Sequence, residues 1–187
     1  LSNRLTNIVA AGLLIFVFLI TVFSMRDDSL TMDELAHLPA GYSYLTQKDM
    51  RLNPEHPPLI KDLAAIPLLF IKNINFPSES KAWQDDINGQ WDFGKEFLYN
   101  SGNPADKMIF AGRIPMILLL VLLGFFTFKW ARELFGNKAA LLALFLFSFS
   151  PTLLAHGRLV TTDVGAALGV VIATYHFLKF LKNPSKK

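Results

Sequence analysis

Apolar residues in this chain fall in blocks. Positions 5–23, 108–128, 139–155 and 164–181 are almost continuous runs of Leu, Ile, Val, Phe and Ala. A run of about 19 residues, rising 1.5 Å per residue, covers a hydrocarbon core of roughly 30 Å. The stretches 116–128 and 139–147 carry no charge and show no polar face. An amphipathic helix of a water-soluble fold needs such a face, so a soluble fold is disfavoured.

The pattern predicts an all-α membrane protein with four transmembrane helices and a large first loop. The boundaries read as 1–24 for the first helix, 25–107 for the loop, 108–128 for the second helix and 129–138 for a short connection. The third helix follows at 139–155, a turn at 156–163, the fourth helix at 164–181 and a tail at 182–187. Within the loop, Thr31-x-x-Glu34 fits a capping box and predicts a juxtamembrane helix carrying Asp33, Glu34 and His37. Asp33 and His37, four apart, share a face of it. Pro39 and Gly41 predict an interruption near Leu38. The cluster Asn53-Pro54-Glu55-His56-Pro57-Pro58 predicts a turn. Positions 59–71 read as an interfacial helix too short to span and split by Pro67. Trp83, Trp91, Phe93, Phe97 and Tyr99 suit either a small core or the headgroup level.

Charge sets an orientation. Segment 25–107 holds 13 acidic and 8 basic residues, whereas the remainder holds 10 basic and 2 acidic ones. Lys129, Arg132, Lys138 and the lysines from 179 onward belong inside by the bias of Lys and Arg toward the cytoplasm. The termini are then cytoplasmic, and the long loop and the 156–163 turn are extracytoplasmic. The pI near 9.2 follows from this asymmetry. No basic stripe with interleaved aromatics points to nucleic acid. There is no cysteine, so disulfides are excluded. The first apolar block lacks a small-x-small cleavage site and reads as an uncleaved anchor in the cell membrane. A start at Leu1 and an end soon after the fourth block are what a piece of a larger polypeptide presents.

The outer inventory contains Asp33, Glu34, His37, Glu55, His56, Arg113, Arg158 and Asp163. Arginine suits a lipid phosphate through its fork geometry. A carboxylate near a bilayer suits the base that an attacking hydroxyl needs. Each residue also has a plainer reading. Asp33 can cap a helix, and Glu34 can be its solvated neighbour. His37 can satisfy a local hydrogen bond. Asp163 can serve as an N-cap and dipole partner of the fourth span. Arg113 and Arg158 can anchor helices at headgroups. Glu55 and His56 lack a further ligand at a recognisable spacing, so no metal set is assigned.

Four motifs taken together resemble a family. They are Asp33-Glu34-Leu35-Ala36-His37-Leu38-Pro39-Ala40-Gly41-Tyr42, the run from Asp49 through Asn53-Pro54-Glu55-His56-Pro57-Pro58-Leu59, Arg113-Ile114-Pro115-Met116, and Arg158-Leu159-Val160-Thr161-Thr162-Asp163. Their order resembles the N-terminal module of polytopic GT-C glycosyltransferases. The nearest kin are dolichyl-phosphate-mannose protein mannosyltransferases and bacterial aminoarabinose transferases. The resemblance implies inverting transfer of a sugar from a polyprenyl-phosphate carrier to a lipid, glycan or protein acceptor outside the membrane. It places Asp33 as base, Asp163 as the acid at the start of the fourth span, and Glu55 at acceptor or metal contacts, where a divalent ion stays open. Glu34 would share the catalytic site, and His37, His56, Arg113 and Arg158 would line it. The aminoarabinose enzymes carry Lys where this chain has His56, and the family has more spans and a C-terminal soluble region. The alternative is a non-catalytic membrane scaffold or partner-binding protein built on such a module.

Overall fold

The computed structural model describes residues 1–182 and Pro184. Of the expected tail, Asn183 and residues 185–187 lie outside the described residues. The described residues are helical, with no strand among them. In chain order they form α1 (Asn3–Ser24), α2 (Met32–Gln47), α3 (Pro58–Ala65), α4 (Lys81–Gln84), α5 (Gln90–Lys95), α6 (Ala105–Ser148), α7 (Pro151–His156) and α8 (Asp163–Lys182). Two compact units result. One comprises Leu1–Phe23, Ile117–Gly157 and Asp163–Lys187, and the other Ser24–Met116 and Arg158–Thr162.

The first unit is built from the apolar blocks. Helices α1, α6 and α8 are each long and apolar enough to cross a membrane. Its core joins Val17, Leu120, Leu123, Ala140, Leu144, Phe147, Val164 and Leu168. Many large apolar side chains nevertheless point outward, among them Ile8, Ile15, Phe125, Leu142, Leu146, Val170 and Phe177. Such a surface is stable against lipid and not against water. Helix α6 has 44 residues, about twice what a bilayer core needs. It breaks at Gly136, whose φ of 81° and ψ of −175° are not helical. A side chain rarely tolerates that conformation, which is why glycine stands at the break. Beside it, Asn137 Nδ2 donates to Asn3 Oδ1 at 2.9 Å, and Arg132 donates to Asn7 Oδ1 at 2.7 Å. The apolar stretch 139–155 is also divided. Helix α6 ends at Ser148, and α7 starts at Pro151, whose fixed φ and missing N–H suit a first helical position.

The second unit holds the loop helices. Helix α2 does not stop near Leu38, as the sequence had led us to expect; it runs through Pro39 and Gly41 to Gln47. Proline at 39 removes the N–H that would have met the Leu35 carbonyl. That carbonyl instead lies against Gly94 of α5, where a Cβ would sit 2.0 Å from its oxygen. Tertiary packing thus absorbs the defect. Gly41 permits an equally close approach to α3, since a Cβ there would sit 2.0 Å from the Lys61 oxygen. Helix α3 gives way to a 3-10 turn at Ile66–Phe70 around Pro67. The loop aromatics make a small core. Phe76 meets Trp83 at 4.9 Å and Phe93 at 5.1 Å between ring centroids, with Tyr42 and Phe97 alongside, while Trp91 and Tyr99 stay exposed.

Replacing Gly41 by Ala forces α2 and α3 apart, because the obstacle is backbone. The expected cost is about 1–3 kcal/mol, read as a lowered thermal unfolding midpoint of the purified protein in detergent, whereas Gly12→Ala, with nothing within 4 Å of its Cβ, leaves the midpoint near wild type.

Candidate active site

Seven of the eight residues singled out in the sequence belong to the second unit, and Asp163 opens α8 in the first. The centre of the second unit is a buried ion pair between Glu34 and Arg113, whose side chains are 0% and 1% exposed. The capping box at Thr31 forms and sets the Glu34 carboxylate in place. Its Oε2 accepts the Thr31 N–H at 2.9 Å and the Thr31 hydroxyl at 3.1 Å. Its Oε1 accepts the Val160 N–H at 3.0 Å. Arg113 then donates from Nε to Oε1 at 2.8 Å and from Nη2 to Oε2 at 2.7 Å, a bidentate fork.

The rest of the guanidinium is also occupied. Nη2 donates to Ser29 O at 2.9 Å, and Nη1 to Asp28 O at 3.1 Å and Met25 O at 3.4 Å. All five N–H groups of Arg113 therefore have acceptors. Glu34 is accordingly not the solvated neighbour of Asp33 anticipated above. Burial pushes its carboxyl up, but the Arg113 guanidinium and the N–H groups of Thr31 and Val160 outweigh that and hold it below the usual glutamate value.

Asp33, one residue before Glu34, is exposed on the first turn of α2. Successive helical residues point about 100° apart, so burying one of the pair turns the other outward. His37, one turn further, is buried, and its Nδ1 lies 3.0 Å from the Val160 carbonyl. A carbonyl only accepts, so Nδ1 carries the proton and Nε2 keeps its lone pair. Burial pushes the imidazole below its usual value, against the pull of that carbonyl, so it is neutral at pH 7. The exposed His56 ring stands edge-on at 5.2 Å from it. Glu55 is exposed and accepts from Gln90 Nε2 at 2.6 Å, Asn53 Nδ2 at 3.3 Å and Asn88 Nδ2 at 3.4 Å. The Gln90 bond foremost holds its carboxyl below the usual value.

Arg158 donates to the Ser24 carbonyl at 2.5 Å and forms an ion pair with Asp28. Its side chain is 18% exposed, so it reaches solvent where Arg113 does not. A cavity of about 300 Å³ opens beside this region, lined by Arg26, Asp27, Asp28, Asp106 and Arg113 among others. Among the described residues no three His, Asp or Glu side chains converge as a metal-ligating group.

The sequence reading passed over Lys61, Tyr44, Asn53 and Gln90, all buried. One signal was available for Lys61. It occupies the stripe Lys61, Ala64, Ala65, Leu68 that α3 and its following turn bury, at the spacing of an inward helical face.

Comparison with known proteins bears on this arrangement. The family model described as dolichyl-phosphate-mannose-protein mannosyltransferase matches residues 105–187. That segment contains Arg113, Arg158 and Asp163. Neither a curated protein nor a solved structure matches the chain significantly. The match spans 83 of the 187 residues and agrees with the resemblance carried by the motifs.

Removing one partner of the pair leaves the other charged and buried. Arg113→Met should cost about 3–5 kcal/mol, seen as loss of folded yield or a much lowered unfolding midpoint. Because the Glu34 carboxyl titrates lower folded than unfolded, its contribution is present above roughly pH 4.3 and is lost as pH falls through the folded value. The acid limb of the stability–pH curve should therefore be shallower in Glu34→Gln than in wild type.

Proposed function

We propose that this chain is a membrane glycosyltransferase module that moves a sugar from a polyprenyl-phosphate carrier to an acceptor hydroxyl or phosphate, with inversion, at the extracytoplasmic face. The observation that carries the reading is the family match together with an exposed carboxylate, Asp33, held beside a fully satisfied buried ion pair. In the reaction the acceptor oxygen attacks the anomeric carbon from the face opposite the phosphate. Its proton passes to Asp33 as the new C–O bond forms, and the bond from the anomeric carbon to the phosphate oxygen breaks. Polyprenyl phosphate leaves carrying that electron pair.

Roles for the remaining residues follow from their surroundings. Glu34 positions the first turn of α2 and so fixes where Asp33 emerges. Of the two arginines, Arg158 is the one we assign to the donor phosphate, since every Arg113 donor is already engaged. His37, neutral with a lone pair on Nε2, suits a hydroxyl donor, and Glu55 and His56 provide acceptor contacts. Asp163 begins α8, where the positive end of the helix dipole stabilises a carboxylate. The break at Gly136 supports reading α6 as two spans, which makes four in all with cytoplasmic termini.

Asp33→Asn keeps the side chain's size and removes its basicity. In the protein, turnover of polyprenyl-phosphate sugars against a panel of lipid, glycan and peptide acceptors should fall by about two to four orders of magnitude, with membrane protein levels unchanged. Wild-type turnover in that variant removes Asp33 from the mechanism, and no turnover by the wild type on any acceptor favours the scaffold alternative.

A further inference from the structure

Lys61 is 1% exposed, yet among the described residues no carboxylate lies within ion-pair distance of it. Its ammonium is held by neutral oxygens instead. Its three N–H groups are shared among four acceptors, Asn53 O at 2.7 Å, His56 O at 2.8 Å, Asn53 Oδ1 at 2.9 Å and the Tyr44 hydroxyl at 2.9 Å. The Tyr44 hydroxyl in turn donates to Leu52 O. Burial pushes the lysine down to about 8, against the pull of Glu55 and Asp62. A buried cation with no counter-charge carries a desolvation cost that an apolar side chain of the same length avoids.

The consequence lies in amide polarity. An ammonium only donates, so it takes the oxygen of the Asn53 side chain and leaves its NH₂ facing the other way. That NH₂ donates to Glu55 Oε1 at 3.3 Å and to the Gln90 side-chain oxygen. With its oxygen thus taken, Gln90 must present its own NH₂, and it donates to Glu55 Oε1 at 2.6 Å. Asn53 is suited to this duty, since its φ of 51° lies in the left-handed region that asparagine tolerates.

We infer that Lys61 is a positioning residue: by claiming the Asn53 oxygen it fixes the polarity of two successive amides, so that both donate to Glu55 and aim that carboxylate. The aim matters for acceptor contact only if Glu55 has the role given it above, so the inference rests on that reading for its functional consequence and on geometry for the rest. The groups around Lys61 and Glu55 that carry or acquire charge are Tyr44, pushed up to about 12 by burial, together with His37, His56 and Asp62.

The test uses the full chain in detergent micelles as wild type, Lys61→Met and Lys61→Arg, with side-chain amide and carboxyl signals followed by NMR. In wild type the NH₂ protons of Asn53 and Gln90 should show through-space contacts to the Glu55 methylenes. Lys61→Met should lose them and move the Glu55 titration upward by roughly half to one unit, and Lys61→Arg, which still donates, should restore the amide contacts. A lysine needed only for packing would lower the unfolding midpoint and leave the amide contacts as they were. Unchanged contacts in Lys61→Met overturn the inference, and if that variant does not fold, wild-type amide protons facing away from Glu55 overturn it equally. In sugar-transfer assays Lys61→Met should raise the acceptor KM several-fold with little change in kcat. If the amide contacts vanish while Lys61→Met and Glu55→Gln both leave acceptor KM unchanged, positioning by Lys61 stands and the acceptor role of Glu55 falls.

Discussion

A carboxylate and a guanidinium removed from water are costly, and their attraction offsets the cost only when the remaining lone pairs and N–H groups are also met. Glu34 and Arg113 meet that condition. The fork between them uses two bonds, and backbone groups with the Thr31 hydroxyl supply the others. The partners lie 79 residues apart in sequence, and the Val160 amide that completes Glu34 lies 126 residues away from it. Four stretches of chain are therefore pinned by one pair: the 25–29 segment, the first turn of α2, the early part of α6 and the 158–162 turn. Few apolar contacts could impose that registry, because apolar packing tolerates small slips and a bidentate fork does not.

The second unit holds two buried cations, and they are managed differently. Arg113 cannot lose its proton in a protein, so its charge is permanent and is matched by a carboxylate. Lys61 can lose its proton and is surrounded by carbonyl, amide and hydroxyl oxygens instead. A compact ammonium with three donors suits an irregular cage of oxygens, whereas a planar fork suits two parallel carboxylate oxygens. A lysine at position 113 could not reach the carbonyls of the 25–29 segment and both oxygens of Glu34 together.

The apolar helices were legible because a membrane-facing helix needs no polar stripe, so composition alone marks it. The capping box was legible because it is local, with both partners inside one turn. The fate of Glu34 was hidden, since nothing near position 34 announces an arginine 79 residues on. Pro39 misled for a related reason. A proline in a helix removes one bond without necessarily ending the helix, and here α2 continues with the Leu35 carbonyl packed against Gly94. Lys61 left a trace, a charge on an otherwise apolar stripe, but its cage is assembled from α2 and from the turn at Asn53, and only the fold brings these together. Asp33 and Asp163 stood out by their place beside apolar runs on one membrane face, and the resemblance supplied their roles.

Adjacent acidic residues are often treated as interchangeable members of a cluster, but in this chain a helix turn separates their chemistry. Glu34 faces inward, has every oxygen satisfied and is held ionised by Arg113. It has no capacity left to accept a proton or to touch a substrate. Asp33 faces outward, where its oxygens are open to water or to an incoming hydroxyl. Its backbone is nevertheless fixed by the neighbour's bonds. A base needs both properties at once, a free lone pair and a defined position. Each bond that orients a carboxylate occupies one of its roughly four lone-pair sites, so a side chain held by as many bonds as Glu34 has little capacity left, whereas Asp33 keeps its own. Under the proposed reaction, the Asp-Glu pair at the start of a capped helix divides those two properties between consecutive residues.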